Sequence, residues 1–166
     1  MIRIPRPAWT ELALLGLAGL AWSSQFTPTL ALVNESPSLP RGLYLRVPGA
    51  QAARGAVVAV PAPPTARPYL SQLGAPADAK LLKRVAAVGG EQVCADPDQV
   101  RTPERRVAVA RRDHRGRDLP AWRDCRRLAP DELFLLGDTP TSFDSRYFGP
   151  VRRAEVDGVY REALTW

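Results

Sequence analysis

Residues 34–44, NESPSLPRGLY, decide how the rest of the chain is read. Ser36 and Ser38 stand two apart in a loop that Pro37 and Pro40 hold extended. Proline fixes its own φ and pushes the preceding residue toward β or polyproline geometry, so neither serine sits inside a helix. Gly42 then permits a close backbone approach before the strand-like Leu43-Tyr44-Leu45. Taken alone, the stretch reads most simply as a proline-rich linker. Its surroundings change that reading.

Upstream, Arg3 and Arg6 precede Leu12–Trp22, LALLGLAGLAW, an unbroken apolar run of 11 residues. Continued through Val33, the segment would span roughly 33 Å as a helix, about one bilayer core. Its second half is more polar, with Ser23, Ser24, Gln25, Thr27, Pro28 and Thr29, and Thr29-Leu30-Ala31 also suits a cleavage site. A cleaved secretory signal and an uncleaved anchor both fit, and the anchor is favoured. Either way the positive N-terminus stays inside and residues from 34 onward cross the membrane. The expected organisation is residues 1–33 as cytoplasmic N-terminus and membrane-spanning helix, then residues 34–166 as an exported domain.

Downstream, 17 prolines and 12 glycines favour a loop-rich, mostly β chain. Strand-like runs fall at Leu43–Val47, Ala56–Val60, Lys80–Val88, Glu91–Cys94, Arg106–Ala110, Leu133–Leu136 and Gly158–Leu164. Tyr69–Gly74 reads as one helical turn, and Arg111–Asp118 as a polar loop. The net charge of +6 is carried by 21 arginines against 2 lysines. Those arginines are scattered, with neither a groove-insertion motif nor an aromatic stacking platform, so nucleic acid is not an expected partner.

The chemistry narrows by elimination. The one histidine, His114, lies among charges in RRDHRGRD and reads as a solvated loop residue, which leaves a Ser-His-Asp triad without a base. Cys94 and Cys125 stand 31 apart with no CxxC and no second histidine, so no metal site is expected, and no cofactor. In an exported chain two cysteines more often pair, with two free thiols as the alternative. A bridge would tie the strand after Lys83 to the loop before Leu133.

What remains is a serine with lysine as its base. Arginine cannot serve, because it does not deprotonate in proteins. Burial disfavours the charged form of a lysine and can bring its pKa into a useful range. In a chain that prefers arginine so strongly, Lys83 inside the apolar run KLLKRVAAV is informative. Counting by two places it on one face with Leu81, Val85 and Ala87. Lys80, at the start of the run, is the ordinary surface lysine.

Three blocks now make a resemblance specific: SPSLPRGLY (36–44), LLKRVAAVGGE (81–91) and GDTPTSFDSRYFGPV (137–151). In this order they resemble the serine, lysine and glycine-aspartate…DSR boxes of the signal peptidase I family of Ser–Lys peptidases. With GRDLPAWRDCRRLAPDELFLLGD between the last two, the chain is most similar to the conjugative-transfer branch, the TraF-type pilin-processing peptidases.

The resemblance implies a mainly β, signal-peptidase-like catalytic domain behind an N-terminal membrane-spanning helix. By it, Ser38 is the nucleophile, Lys83 the general base, and the Ser36 hydroxyl joins the Ser38 N–H in an oxyanion hole. Ser142 orients the lysine ammonium, Asp144 and Arg146 form an ion pair, and Arg84 holds Asp138. Asp144 is expected not to touch Lys83, since a carboxylate there would keep the lysine protonated. Departures are Thr139 for asparagine, one residue fewer before Ser142, Leu39 for methionine, and Gly89-Gly90-Glu91 for Pro-Gly-Asp.

The implied activity is a serine endopeptidase removing the leader from a membrane-inserted, pilin-like precursor of conjugation or type IV secretion. Its implied place is the inner membrane, with a single pass, contact with the lipid bilayer and the catalytic domain on the periplasmic side. A general type I signal peptidase and a catalytically inactive, membrane-anchored pilus-assembly factor are the alternatives.

Overall fold

Nine residues, KLLKRVAAV, form the strand on which the site is built, because small and β-branched apolar side chains suit a strand with neighbours on both edges. The computed structural model describes residues 29–166. In chain order the elements are β1 (Ala31–Asn34), β2 (Gly42–Arg46), β3 (Val57–Pro61), α1 (Arg67–Gln72), β4 (Lys80–Val88), β5 (Gln92–Ala95), β6 (Gln99–Arg101) and β7 (Arg106–Ala108). Then follow β8 (Cys125–Arg127), β9 (Glu132–Leu136), α2 (Ser145–Phe148), β10 (Val151–Arg152), a 3-10 turn at Arg153–Glu155 and β11 (Gly158–Thr165).

The chain is mainly β. A seven-stranded antiparallel sheet has the order β1-β2-β11-β3-β4-β9-β10, and a four-stranded one the order β7-β6-β5-β8. One face of the large sheet buries Val58, Val60, Val85, Leu133 and Leu135. The opposite face buries Leu39, Tyr44, Val57 and Leu82 at one end. At its other end Ala87, Phe134 and Leu136 are covered by Val93 and Val100 of the small sheet.

Lys83 lies directly opposite Val58 in the β3–β4 pair. Between Val85 and Ala87 the pairing with β9 slips by one residue, leaving Ala86 as a bulge. One additional residue reverses the alternation of faces. Ala87 therefore packs in the second cluster, and Val88 joins Val85 against the first. The expected dry face of Lys83 holds for Leu81 and Val85 and fails for Ala87.

Other boundaries also move. Ala31–Val33, read as the end of an apolar helix, belong to β1 and pair with Leu43–Leu45, so the folded domain begins before residue 34. Residues 1–28 of the expected anchor lie outside the described residues. Among the described residues no helix is long and apolar enough to cross a membrane. β6, β8 and β10 have only 3, 3 and 2 residues, too few for an alternation to be read. Cys125 is thereby placed in a strand rather than a loop.

Candidate active site

The serine loop is shaped by one buried amide. Asn34 donates through Nδ2 to the carbonyls of Ser36, Leu39 and Pro40, each at 3.0 Å. Its Oδ1 accepts from Ser36 N–H at 3.2 Å and lies 3.0 Å from Ser36 Oγ. Tyr44 closes the loop from β2 by donating its hydroxyl to Pro40 O at 2.8 Å. Burial, reinforced by Glu162 nearby, pushes the Tyr44 phenol up to about 12, so it stays a donor at working pH.

Held this way, Ser38 Oγ lies 2.7 Å from Ser36 Oγ and accepts a 2.7 Å hydrogen bond from Lys83 Nζ. The two residues come from a loop and a strand 45 positions apart. Lys83 is only 4% exposed. Burial, with Arg146 adding to it and Asp144 and Asp138 opposing, brings its amine from 10.5 down to about 8. At that value roughly one molecule in ten carries a neutral lysine at pH 7. Among the described residues, no carboxylate comes within ion-pair distance of Lys83.

Asp144 is turned elsewhere, as a directly paired lysine would stay charged. It accepts from Gly137 N–H at 2.9 Å and pairs with Arg146 Nε at 2.8 Å and Nη2 at 2.9 Å. Arg146 also donates to the carbonyls of Ala108 at 2.8 Å, Pro140 at 3.0 Å and Ser142 at 2.8 Å. A guanidinium with this many acceptors ties the turn that holds Pro140, Ser142 and Asp144 to Ala108 of β7. Arg84 grips Asp138 with two bonds, Nε–Oδ1 at 3.0 Å and Nη2–Oδ2 at 2.8 Å. Asp138 N–H in turn donates to Ser38 O at 2.6 Å.

Ser142 reaches the site but makes no bond there. Among the described residues its buried hydroxyl has no hydrogen-bond partner, nor has that of Thr139, which stands where asparagine is usual. The expected contact from Ser142 to the Lys83 ammonium is not made. Gly137 is the reason Ser142 sits so close. A Cβ on Gly137 would meet Ser142 Oγ at 2.1 Å and Ser38 O at 2.8 Å.

A cleft of about 760 Å³ opens over Ser38 and Lys83. Its walls are largely apolar, from Leu32 and Val33 of β1, Tyr69 of α1, Leu81 of β4, and Phe143 and Tyr147. On the far side run Ala108–Ala110, held by Arg146 at Ala108 O and by the Tyr147 hydroxyl, which accepts from Ala110 N–H at 3.3 Å. The Arg111–Asp118 loop caps one end, its Asp113 accepting from Tyr69 OH and from Arg117 Nε. His114 lies on this exposed rim. Lys80 pairs with Asp157 at the surface. Cys94 and Cys125, directly opposite in β5 and β8, are disulfide-bonded. Among the described residues no cluster could hold a metal ion.

The family description "Signal peptidase, peptidase S26" matches residues 7–165. The chain belongs to the signal peptidase S26 family. Membership in the S26 family implies a serine peptidase. A plasmid transfer protein TraF of Escherichia coli is 35% identical over 93% of this chain and 91% of its own length. A second E. coli plasmid transfer protein TraF is 30% identical over the full length of both. A probable conjugal transfer protein TraF of Sinorhizobium fredii is 31% identical over 96% of this chain and 87% of its own. The crystal structure of a signal peptidase I from Enterococcus faecalis aligns with 64% of this chain and 94% of that one, at 26% identity and a TM-score of 0.40.

Within this S26 chain, sequence reasoning passed over Asn34, Gly137 and Tyr44. Asn34 carried a weak signal, as an Asx residue two positions before a loop serine whose backbone it can cap. Gly137 stands in the glycine-aspartate box, but nothing in the sequence shows that it must be bare of a side chain. Tyr44 looked like an ordinary strand aromatic.

Proposed function

We propose that this chain is a membrane-associated serine endopeptidase that removes the leader from an exported, pilin-like precursor of conjugation or type IV secretion. The observation that carries the reading is the 2.7 Å contact between Lys83 Nζ and Ser38 Oγ in a site dry enough to bring the amine to about 8. Neutral Lys83 takes the Ser38 proton as Oγ attacks the scissile carbonyl. The oxyanion is met by the Ser38 N–H and the Ser36 hydroxyl. As the C–N bond breaks, the Lys83 ammonium returns its proton to the leaving amine and an acyl-enzyme remains.

The edge strand β1 and the segment Ala108–Ala110 flank the cleft, which suits an extended peptide added as a strand. Val33, Leu43 and Leu164 lie side by side across β1, β2 and β11, with Val33 and Leu164 more than half exposed and Trp166 exposed two residues on. An exposed apolar patch of this kind favours contact with a bilayer. The proposed location is therefore the inner membrane, with a single pass and the domain on the periplasmic side. The plasmid-transfer relatives favour a precursor from a conjugation apparatus.

The test is to co-produce a candidate pilin precursor in membranes with the wild type and with Ser38→Ala. Mature product is expected from the wild type only. The same product with Ser38→Ala would remove the dyad. Equal processing of a panel of secretory precursors would make the enzyme a general signal peptidase. Precursor binding without cleavage or acylation of Ser38 would make it an assembly factor.

A further inference from the structure

Asn34 uses its whole hydrogen-bonding capacity on the serine loop. A carboxamide offers two N–H donors and two acceptor lone pairs. Here the donors face the carbonyls of Ser36, Leu39 and Pro40, and the acceptor faces Ser36 N–H and Ser36 Oγ. Only an NH2 group fits against three carbonyl oxygens, so the orientation of the amide follows from its partners. Asn34 is 7% exposed and lies at the end of β1, opposite Gly42 in the pairing with β2. Among the described residues, the only other polar side chain hydrogen-bonded to Ser36 is that of Ser38.

The consequence lies in where one proton points. Ser36 has a single hydroxyl hydrogen and two neighbours, Asn34 Oδ1 at 3.0 Å and Ser38 Oγ at 2.7 Å. While Lys83 is an ammonium it can only donate, so Ser38 Oγ accepts from it. The Ser38 hydrogen then turns to Ser36 Oγ, and the Ser36 hydrogen to Asn34 Oδ1. Once Lys83 loses its proton, its lone pair draws the Ser38 hydrogen. Ser36 then keeps its loop position through its N–H bond to Asn34, while its hydroxyl is free to turn to an oxyanion.

We infer that the Asn34 carboxamide is the positioning residue of the oxyanion hole, fixing the Ser36 backbone and holding the Ser36 hydroxyl proton until Lys83 is neutral. It touches no substrate and acts through Ser36. The inference rests on the Ser38–Lys83 reading and on Ser36 as an oxyanion donor.

The experiment uses the full chain in detergent and an N-acetyl-Ala-Leu-Ala p-nitrophenyl ester, whose leaving group needs no protonation. Asn34→Ala is expected to slow single-turnover acylation by about 10²-fold, as loss of one oxyanion donor does. KM should change little, and in a Ser36→Ala background the same change should cost less than about threefold, because neighbours acting as one unit are non-additive. A full independent loss in that background would overturn the inference. So would an unchanged acylation rate in Asn34→Ala.

Asn34→Asp keeps the size and the acceptor toward Ser36 but sets an oxygen against the three loop carbonyls, so its folding is checked first by circular dichroism. It places a carboxylate at the end of the chain of hydroxyls leading to Lys83. The Lys83 titration, followed by the ε-carbon resonance in a protein with two lysines, should then move to higher pH. An unmoved midpoint in folded Asn34→Asp would overturn the coupling even without a substrate. Ester acylation that persists in Ser38→Ala would instead sink the dyad reading.

Discussion

At the scale of a residue, Lys83 is the proposed base, and its burial carries a cost to the fold. With its amine at about 8, kcat/KM is expected to rise with pH through about 8, measured on any cleaved precursor. Lys83→Arg should abolish cleavage in a folded protein, because arginine keeps the charge and cannot act as a base. Substantial activity in that variant would overturn the assignment. The stability effect has a definite sign. Below pH 8 both folded and unfolded chains hold the ammonium, and its burial penalises the native state. Between about 8 and 10.5 the unfolded chain binds the additional proton, so stability rises with pH over that window. The shift corresponds to about 3 kcal/mol. Lys83→Met should therefore be inactive yet more stable at pH 7 by up to about that amount, as read from urea midpoints.

At the scale of elements, the turn after β9 is pressed against the serine loop. Asp138 N–H binds Ser38 O, and Gly137 leaves no room for a side chain between Ser38 O and Ser142. Gly137→Ala must push back either a backbone carbonyl or a short buried side chain. Overpacking of this kind typically destabilises by about 1–3 kcal/mol. Here the displaced atom belongs to the candidate nucleophile, so activity should fall by more than stability explains. A variant with wild-type turnover would show that the turn can yield. The small sheet depends on a second device, the Cys94–Cys125 bridge between β5 and β8. Cys94→Ser or Cys125→Ser should lower stability by a few kcal/mol at most, in line with closure of a 31-residue loop. A secondary loss of activity is expected, because the small sheet carries the β7 end that leads into Ala108–Ala110. Thiol labelling of both cysteines in the unreduced native protein would contradict the pairing.

At the scale of the molecule, one buried ion pair joins the parts. Asp144 and Arg146 are 0% and 1% exposed, and Arg146 reaches Ala108 on the small-sheet side while Asp144 holds Gly137 at the end of β9. Replacing a buried pair with apolar groups can be neutral, but removing one partner leaves an uncompensated charge. Asp144→Asn is expected to destabilise by about 3–5 kcal/mol, measured by denaturant unfolding, and to lower the midpoint for the whole domain rather than for one sheet. Two separated transitions would show that the sheets unfold independently. The same variant removes a nearby negative charge that holds the Lys83 pKa up, so any residual activity should have its pH limb moved down.

The sequence by itself was enough to set out a mainly β chain, the positions of its longer strands, and the residues worth bringing together. Strand alternation, proline geometry and a lysine set within an apolar run are local facts, and they survive folding because neighbours along a strand stay neighbours. The tertiary structure decided the rest. The Ala86 bulge moved Ala87 off the lysine face, and it exists only because β4 must pair with β9. The role of Asn34 rests on three carbonyls gathered by a bend in the chain, and that of Gly137 on contact with the serine loop, far from it in the chain. The strands β6, β8 and β10 were illegible because two or three residues carry no period. Their partners, distant in the chain, hold them as strands. Ala31–Val33 looked like helix by composition and became an edge strand because β2 offered an unpaired edge. Ser142 arrived in the cleft as its box suggests, yet without the expected bond, since a contact of a few tenths of a nanometre depends on packing that no pattern of residues specifies.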